Sequence, residues 1–215
     1  MIIAIDGPAG SGKSTTAKLL AEKLNFIYLD TGSMYRAVTL FLLDNKIDFT
    51  IEKNVQTVLD SLKIDIEYCK GVFSVFLNTK NVSQLIRNSR IDKSVSNISK
   101  INAVRQRMIE IQRSFSQNKN IVIEGRDIAS NVFPNADFKF FIDADIKIRA
   151  KRRLEQKLSN TITLSEMIEE IKKRDEIDSN RLVAPLLKVD GAIEIDTTYL
   201  SIEDQVDKLY KIINN

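Results

Sequence analysis

The chain has 215 residues, 43% of them hydrophobic and 28% charged, which is enough for one compact domain with a proper core and excludes a disordered or collagen-like chain. A formal net charge of +3 is too small to call for a nucleic-acid partner, and one cysteine, Cys69, excludes an intramolecular disulfide and a cysteine-based zinc site. There is no histidine, so Ser-His-Asp and Cys-His catalysis, histidine-ligated metals and histidine general bases are excluded together. The chemistry must run on Lys, Arg, Asp, Ser and backbone amides. No uncharged apolar run approaches the roughly 20 residues that cross a bilayer. The opening Met-Ile-Ile-Ala-Ile-Asp has neither a basic n-region nor a cleavage site. A cytoplasmic monomer with no membrane partner is the expectation.

The apolar, Ile-rich run over 2–6 ends at Gly7 and reads as a fully buried strand. A helix is expected over 13–24, with Ala17, Leu20, Ala21 and Leu24 on one face, then a strand over 26–29 and a helix over 37–43. Strand, helix and strand in this order favour an α/β fold, a parallel sheet with helices on both faces. Between 64 and 82 the pattern changes: Ile64, Ile66 and Tyr68, then Val72, Phe73, Val75 and Leu77, flank Lys70-Gly71. That predicts a hairpin within a small inserted subdomain, placed at 64–90. Helical spacing returns with Ile101, Val104, Met108, Ile111 and Phe115, followed by core strands over 121–123 and 138–142. Helices over 147–158 and 164–178, a strand over 192–195 and a C-terminal helix carrying Ile202, Val206, Leu209, Ile212 and Ile213 complete a single domain, 1–215.

Gly7-Pro8-Ala9-Gly10-Ser11-Gly12-Lys13-Ser14 fits G-x-x-x-x-G-K-[ST] between a predicted strand and a predicted helix. The glycines allow dihedrals that turn successive N–H groups inward onto phosphate oxygens, and the helix N-terminus adds partial positive charge. In such a loop the lysine, Lys13, reaches the terminal phosphates, and the hydroxyl of Ser14 is a ligand for Mg²⁺. A nucleoside triphosphate site follows. Asn45-Lys46-Ile47-Asp48 formally matches the guanine reader of GTPases. It comes too soon after Lys13 and ends a helical run, so it reads as a helix terminus, with Asn45 capping and Lys46 near the negative end of the dipole.

Several arginines sit where a plain surface would not need them. Arg36 follows Asp30-Thr31-Gly32-Ser33-Met34-Tyr35, and Arg126-Asp127 follows the buried strand over 121–123, at the carboxyl end where open α/β sheets bind ligands. Arg174, Asp178 and Arg181 are spaced to share one helix face, and Arg149 and Arg153 are four apart. Taken singly, Arg149, Lys151, Arg152 and Arg153 read equally well as solvated ion pairs worth about 0–1 kcal/mol each.

With these motifs the chain resembles the bacterial cytidylate kinases along nearly its full length. The resemblance is carried by the loop from Ile5 to Ser14, by Leu29-Asp30-Thr31-Gly32-Ser33-Met34-Tyr35-Arg36, by Gly125-Arg126-Asp127, and by Lys173-Arg174-Asp175 with Asn180-Arg181-Leu182-Val183-Ala184-Pro185-Leu186. The first motif is shared with many small kinases, whereas the other three together are specific. The resemblance implies phosphorylation of CMP and dCMP by ATP with Mg²⁺, in pyrimidine nucleotide metabolism. It implies ATP binding by Gly7, Pro8, Ala9, Gly10, Ser11, Gly12, Lys13, Ser14 and Thr15. It assigns cytosine reading to Ser96, Arg105 and Asp127, the acceptor phosphate to Arg36, Arg126 and Arg174 with Thr31 nearby, and the ribose to Asp178 and Arg181. The subdomain over 64–90 would bind the acceptor, and a helical lid over 149–162 would bring Arg149 and Arg153 to the ATP phosphates beside Lys13 and Arg126. Glu124 stands where the family often has Asp, Ser33 where it usually has Ala, and Ala129-Ser130-Asn131 where it usually has Gly-Thr-Val, a change that bears on the loop behind Asp127. A P-loop kinase for another small acceptor, and a nucleotide-gated binding module, are the alternatives; the modest charge and the lack of a basic tail count against the module.

Overall fold

The apolar runs form a five-stranded parallel sheet in the computed structural model, which describes residues 1–156 and 162–214. Strand β1 (Ile2–Asp6) leads through the glycine loop into α1 (Lys13–Leu24), and β2 (Ile27–Asp30) runs directly into α2 (Thr31–Asp44). Then come α3 (Glu52–Ser61), an antiparallel three-stranded sheet of β3 (Ile64–Cys69), β4 (Val72–Leu77) and β5 (Lys80–Asn81), and the helices α4 (Ser89–Ile98) and α5 (Asn102–Ser116). Strand β6 (Ile121–Glu124) is followed by a π-helical turn, Ile128–Val132, and by β7 (Phe138–Asp143). Helices α6 (Ile146–Gln156) and α7 (Leu164–Ser179), strand β8 (Ile193–Asp196) and helix α8 (Ile202–Asn214) finish the chain.

The main sheet has the order β2-β6-β1-β7-β8, so β1 lies at its centre between β6 and β7. Strands β1, β2 and β6 are buried on both faces, which is why they hold short apolar runs rather than alternating ones, whereas the edge strand β8 is largely exposed. Alternate residues still feed opposite layers. Ile3, Ile5, Val122, Phe140 and Ile142 pack with Leu20 of α1 and Leu209 of α8. Ala4, Ile121 and Ile123 pack with α2 and α5 through Val38, Leu42 and Met108, and this core continues to Ile64, Val75 and Leu77 of the small sheet. Burying each of these large aliphatic side chains contributes about 1.5–3 kcal/mol. The register aligns Asp30 and Ile5 with Glu124, so the carboxyl ends of β2, β6 and β1 come out together.

Several expectations shift. The second strand lies at Ile27–Asp30, not 26–29, and the next helix begins at Thr31, six residues before 37. The cause is Asp30, whose carboxylate accepts from the Ser33 N–H at 2.9 Å and so starts the helix at once. Helices α3 and α4 were not expected, nor was the π-helical turn. Asn45 does cap α2, its Nδ2 donating to the Phe41 carbonyl at 2.9 Å. Arg181 does not share a helix with Arg174 and Asp178, because α7 ends at Ser179 with Asn180 as its cap. The end of the helix expected over 147–158, and residues 157–161 of the expected lid, lie outside the described residues.

Candidate active site

At the carboxyl end of β1 the backbone turns sharply to build the loop. Gly7 has φ 147°, and a Cβ there would lie 2.0 Å from the Ile142 carbonyl oxygen on the neighbouring strand, so only glycine fits. Gly12, at φ 95°, hands the chain to α1, which places Lys13 in the first turn. The first limb of the loop is tied down from behind. Ala9 N–H donates to Asp175 of α7 at 3.2 Å, and Arg149 of α6 donates to the Ala9 carbonyl at 3.1 Å and ion-pairs with Asp175. Arg149 is thus buried beneath the loop, and Gly10 lies against its backbone. Pro8 and Ser11 are held within the turn itself: Lys13 Nζ donates to the Pro8 carbonyl at 2.6 Å and to Ser11 Oγ at 3.3 Å. Thr15 is exposed on the first turn of α1.

Lys13 is 4% exposed, and burial together with the repulsion of Arg126 and Arg174 pulls its pKa down to about 7. Ser14 Oγ donates to Glu124 Oε1 at 2.6 Å, and Glu124 itself is pushed upward by burial and by Asp30. A hydroxyl and a carboxylate oxygen side by side at the head of α1 form a hard, all-oxygen donor set that fits Mg²⁺.

Beyond the loop lies a group of arginines held by carboxylates. Arg126 Nε donates to Asp178 Oδ2 at 2.9 Å, Arg181 pairs with Asp178 Oδ1, and Arg174 lies 4.0 Å from the same carboxylate. Burial alone would raise the Asp178 pKa, but these arginines outweigh it and hold the carboxyl below the ordinary carboxylate range. Burial and the neighbouring Arg126 bring Arg174 down to about 10. Arg36 of α2 and Arg153 of α6 both reach Asp92 of α4, at 2.6 and 3.1 Å. Thr31 Oγ1 donates to the Glu124 carbonyl at 2.7 Å, beside Lys13 and Arg126 in the charge network of Glu124.

Deeper in the cleft, Arg105 of α5 is fully buried, stacks over the Tyr35 ring and pairs with Asp127, while its Nη1 donates to the Ser99 carbonyl at 3.1 Å. Ser96 of α4 is buried one turn before Ser99, whose hydroxyl accepts from Arg181 at 3.0 Å. The Nε groups of Arg105, Arg174 and Arg181 are buried with no hydrogen-bond partner among the described residues. Each such orphaned donor costs about 1–3 kcal/mol, a cost that recognition of a polar ligand recovers.

The sequence motifs thus meet at the carboxyl end of the sheet. Three partners were missed. Asp92 bridges two of the arginines, Asp175 anchors the loop, and Arg87 donates to Asp30 Oδ2 at 2.9 Å and to Ser33 Oγ at 3.3 Å. The spacing of Ile91, Val95 and Ile98 behind the cap Asn88 was the available signal for the helix that carries Asp92.

A phosphate loop at the head of α1, opening onto an arginine cleft beyond a parallel sheet, defines a P-loop kinase. The family model for cytidylate kinase matches residues 3–215. The cytidylate kinase of Fusobacterium nucleatum is 47% identical over 99% of this chain and 97% of its own length. Those of Clostridioides difficile and Bacillus subtilis are 46% and 42% identical, over 100% and 98% of this chain and 98% and 95% of theirs. The chain belongs to the cytidylate kinase family. Its fold is also similar to the solved structures of an uncharacterised protein from Eubacterium ventriosum (TM-score 0.55, 16% identity, 100% of this chain and 99% of that one) and of Acinetobacter baumannii shikimate kinase in complex with shikimate (TM-score 0.50, 12% identity, 99% and 92%). Among the described residues no helix is long and apolar enough to cross a membrane.

Proposed function

We propose that the protein transfers the γ-phosphoryl group of ATP directly to CMP and dCMP, in line, as a monomeric cytoplasmic enzyme of pyrimidine nucleotide metabolism. Family membership supports the reaction of ATP with CMP. One observation carries the assignment to this site: Lys13 of the loop, Arg126 and Arg174 are buried, mutually repelling cations gathered at the end of the sheet, where Asp127, beside Arg126, pairs with Arg105. Cations crowded in a low-dielectric cleft are stabilised by phosphates, and most strongly where phosphoryl charge is being shared between donor and acceptor.

The roles follow from donors and acceptors. The segment Gly7–Thr15 wraps the ATP phosphates, the backbone N–H groups from Gly10 onward pointing at them while Pro8 has no N–H and that of Ala9 is held by Asp175, with Lys13 on the terminal phosphates. Ser14 and Glu124 would hold Mg²⁺, which when bound neutralises charge on the β- and γ-phosphates. Arg36, Arg126 and Arg174 orient the acceptor phosphate, with Thr31 beside them, and Asp178 and Arg181 meet the ribose. Asp127 accepts from the exocyclic amine of cytosine, Arg105 donates to its ring acceptors, and Ser96 completes the set. Uracil reverses part of this pattern and leaves buried groups unpaired, so CMP is preferred over UMP. An acceptor phosphate oxygen is already a nucleophile, so no general base is required and the lack of histidine costs nothing. The small sheet and the segment up to residue 90 form the acceptor-binding part. The segment over 149–162 acts as a lid, in which Arg153 reaches the reacting phosphates while Arg149 braces the loop from beneath.

Purified protein incubated with ATP, Mg²⁺ and, in turn, CMP, dCMP, UMP, AMP and shikimate tests the reading through ADP formation. Stimulation by CMP and dCMP above the rest is expected. No stimulation by either overturns it.

A further inference from the structure

The residues behind Asp127 have a task of their own. The π-helical turn begins at Asp127, whose carbonyl accepts from the N–H groups of Asn131 at 2.9 Å and Val132 at 3.2 Å. That wide turn carries the Asn131 side chain back over its own start, where Nδ2 donates to Asp127 Oδ2 at 3.2 Å. Arg105 donates to the same oxygen. Among the described residues Asp127 Oδ1 accepts no hydrogen bond. Both ends of the turn are fixed. Asp6, the last residue of β1, accepts from the N–H groups of Ile128 at 2.9 Å and Ala129 at 2.8 Å. Arg113 of α5 donates to the carbonyls of Asn131 and Val132, each at 2.9 Å.

We propose that Asn131 is a positioning residue for base selection: together with Arg105 it occupies Asp127 Oδ2, fixes the rotation of the carboxylate, and reserves Oδ1 for the exocyclic amine of the acceptor base. This rests on the reading of Asp127 as a cytosine reader. The need is particular to this chain, since the family usually has Val at 131: here the Ser130 hydroxyl is buried with no hydrogen-bond partner among the described residues, and Arg105 alone would leave the broad, nearly two-fold terminal torsion of Asp127 free to swing. A second donor from another direction removes that freedom. An amide does so without adding charge, and Arg113 and Asp6 hold the backbone that presents it. With Oδ1 fixed as an acceptor, a base offering an amine is taken and one offering a carbonyl oxygen there is repelled.

Initial rates with CMP, UMP and ATP, measured beside thermal midpoints for Asn131→Val and Asn131→Asp, test this. Valine cannot donate, so the KM for CMP rises about tenfold and the ratio of kcat/KM for CMP over UMP falls by a similar factor, as expected for loss of a hydrogen bond to a charged group. The KM for ATP stays at its wild-type value. Aspartate has the shape of asparagine but repels Asp127, and it lowers the ratio further than valine does. A residue with a merely structural role would shift the midpoint or kcat and leave the CMP/UMP ratio alone. A wild-type ratio in either folded variant overturns the proposal. Asp127→Asn is measured alongside: if it loses selection while Asn131→Val keeps it, the positioning role alone fails. If Asp127→Asn also keeps selection, the reading of the base pocket fails and the positioning role falls with it.

Discussion

The phosphate loop is one uninterrupted segment, Gly7 to Ser14, built mainly of backbone, whereas the proposed acceptor side is drawn from α2, α4, α5, the π-helical turn and α7 and is built of side chains. The loop needs unusual dihedrals, supplied by glycine, and bracing from Arg149 and Asp175. The acceptor side needs many cations in little water, and Asp92, Asp127 and Asp178 make that affordable by keeping them paired before any phosphate arrives. The contrast teaches that buried arginines gathered for a phosphate are kept in place by carboxylates, while the loop relies on backbone. It predicts two kinds of damage: losing the loop cation should harm the reaction, and losing a carboxylate of the arginine group should harm the fold as well.

Three substitutions put that separation at risk, beginning with the largest effect. Lys13→Ala should lower turnover by about a thousandfold or more, the scale of losing a preorganised charge at the transition state. It should leave the thermal midpoint near its wild-type value, because the side chain removed is a buried ammonium repelled by Arg126 and Arg174. Steady-state rates beside a melting curve decide it, and near-normal turnover would remove Lys13 from the phosphates. Asp178→Asn should do the reverse, destabilising the protein by about 3 kcal/mol because Arg126 and Arg181 remain buried without their counter-charge. The Asp178 carboxyl is held below its ordinary value of 3.8, so its contribution is fully present above that pH and is lost as pH falls through the lower, folded value. Denaturant midpoints of wild type and variant should therefore converge only in acid; a gap unchanged at pH 3 and below would contradict the ion-pair account. Arg90→Ala is the smallest, within about 0.5 kcal/mol, since Arg90 and Asp44 pair on the surface with half of each side chain in water. A loss matching that of Asp178→Asn would erase the distinction between surface and cleft pairs.

The same contrast decides what could be read from the sequence. Strands β1 and β6 were legible because burial on both faces makes short unbroken apolar runs, β7 because Phe138, Phe140, Phe141 and Ile142 crowd one short segment, and the loop because all of its parts are adjacent in the chain. Helix α4 carried a readable stripe of Ile91, Val95 and Ile98 behind the cap Asn88, but only three large apolar residues among many polar ones let it pass as a loop, and Asp92 was lost with it. The start of α2 was obscured because Thr31-Gly32-Ser33 has the composition of a turn, and only the capping carboxylate of Asp30 makes it helical. Arg181 seemed to belong to a helix because spacing alone cannot show where Asn180 ends it. The change from Gly-Thr-Val to Ala129-Ser130-Asn131 was visible as a departure, but the contact between Asn131 and Asp127 exists only once the π-helical turn has formed.

Phosphorus NMR of the protein with ATP, Mg²⁺ and CMP tests the central claim most directly, because it sees where the phosphoryl group goes. The account predicts CDP accumulating one for one with ADP, with almost no orthophosphate, and little ADP when CMP is left out. ADP rising with orthophosphate at the same rate with and without CMP, and no CDP signal, would contradict it.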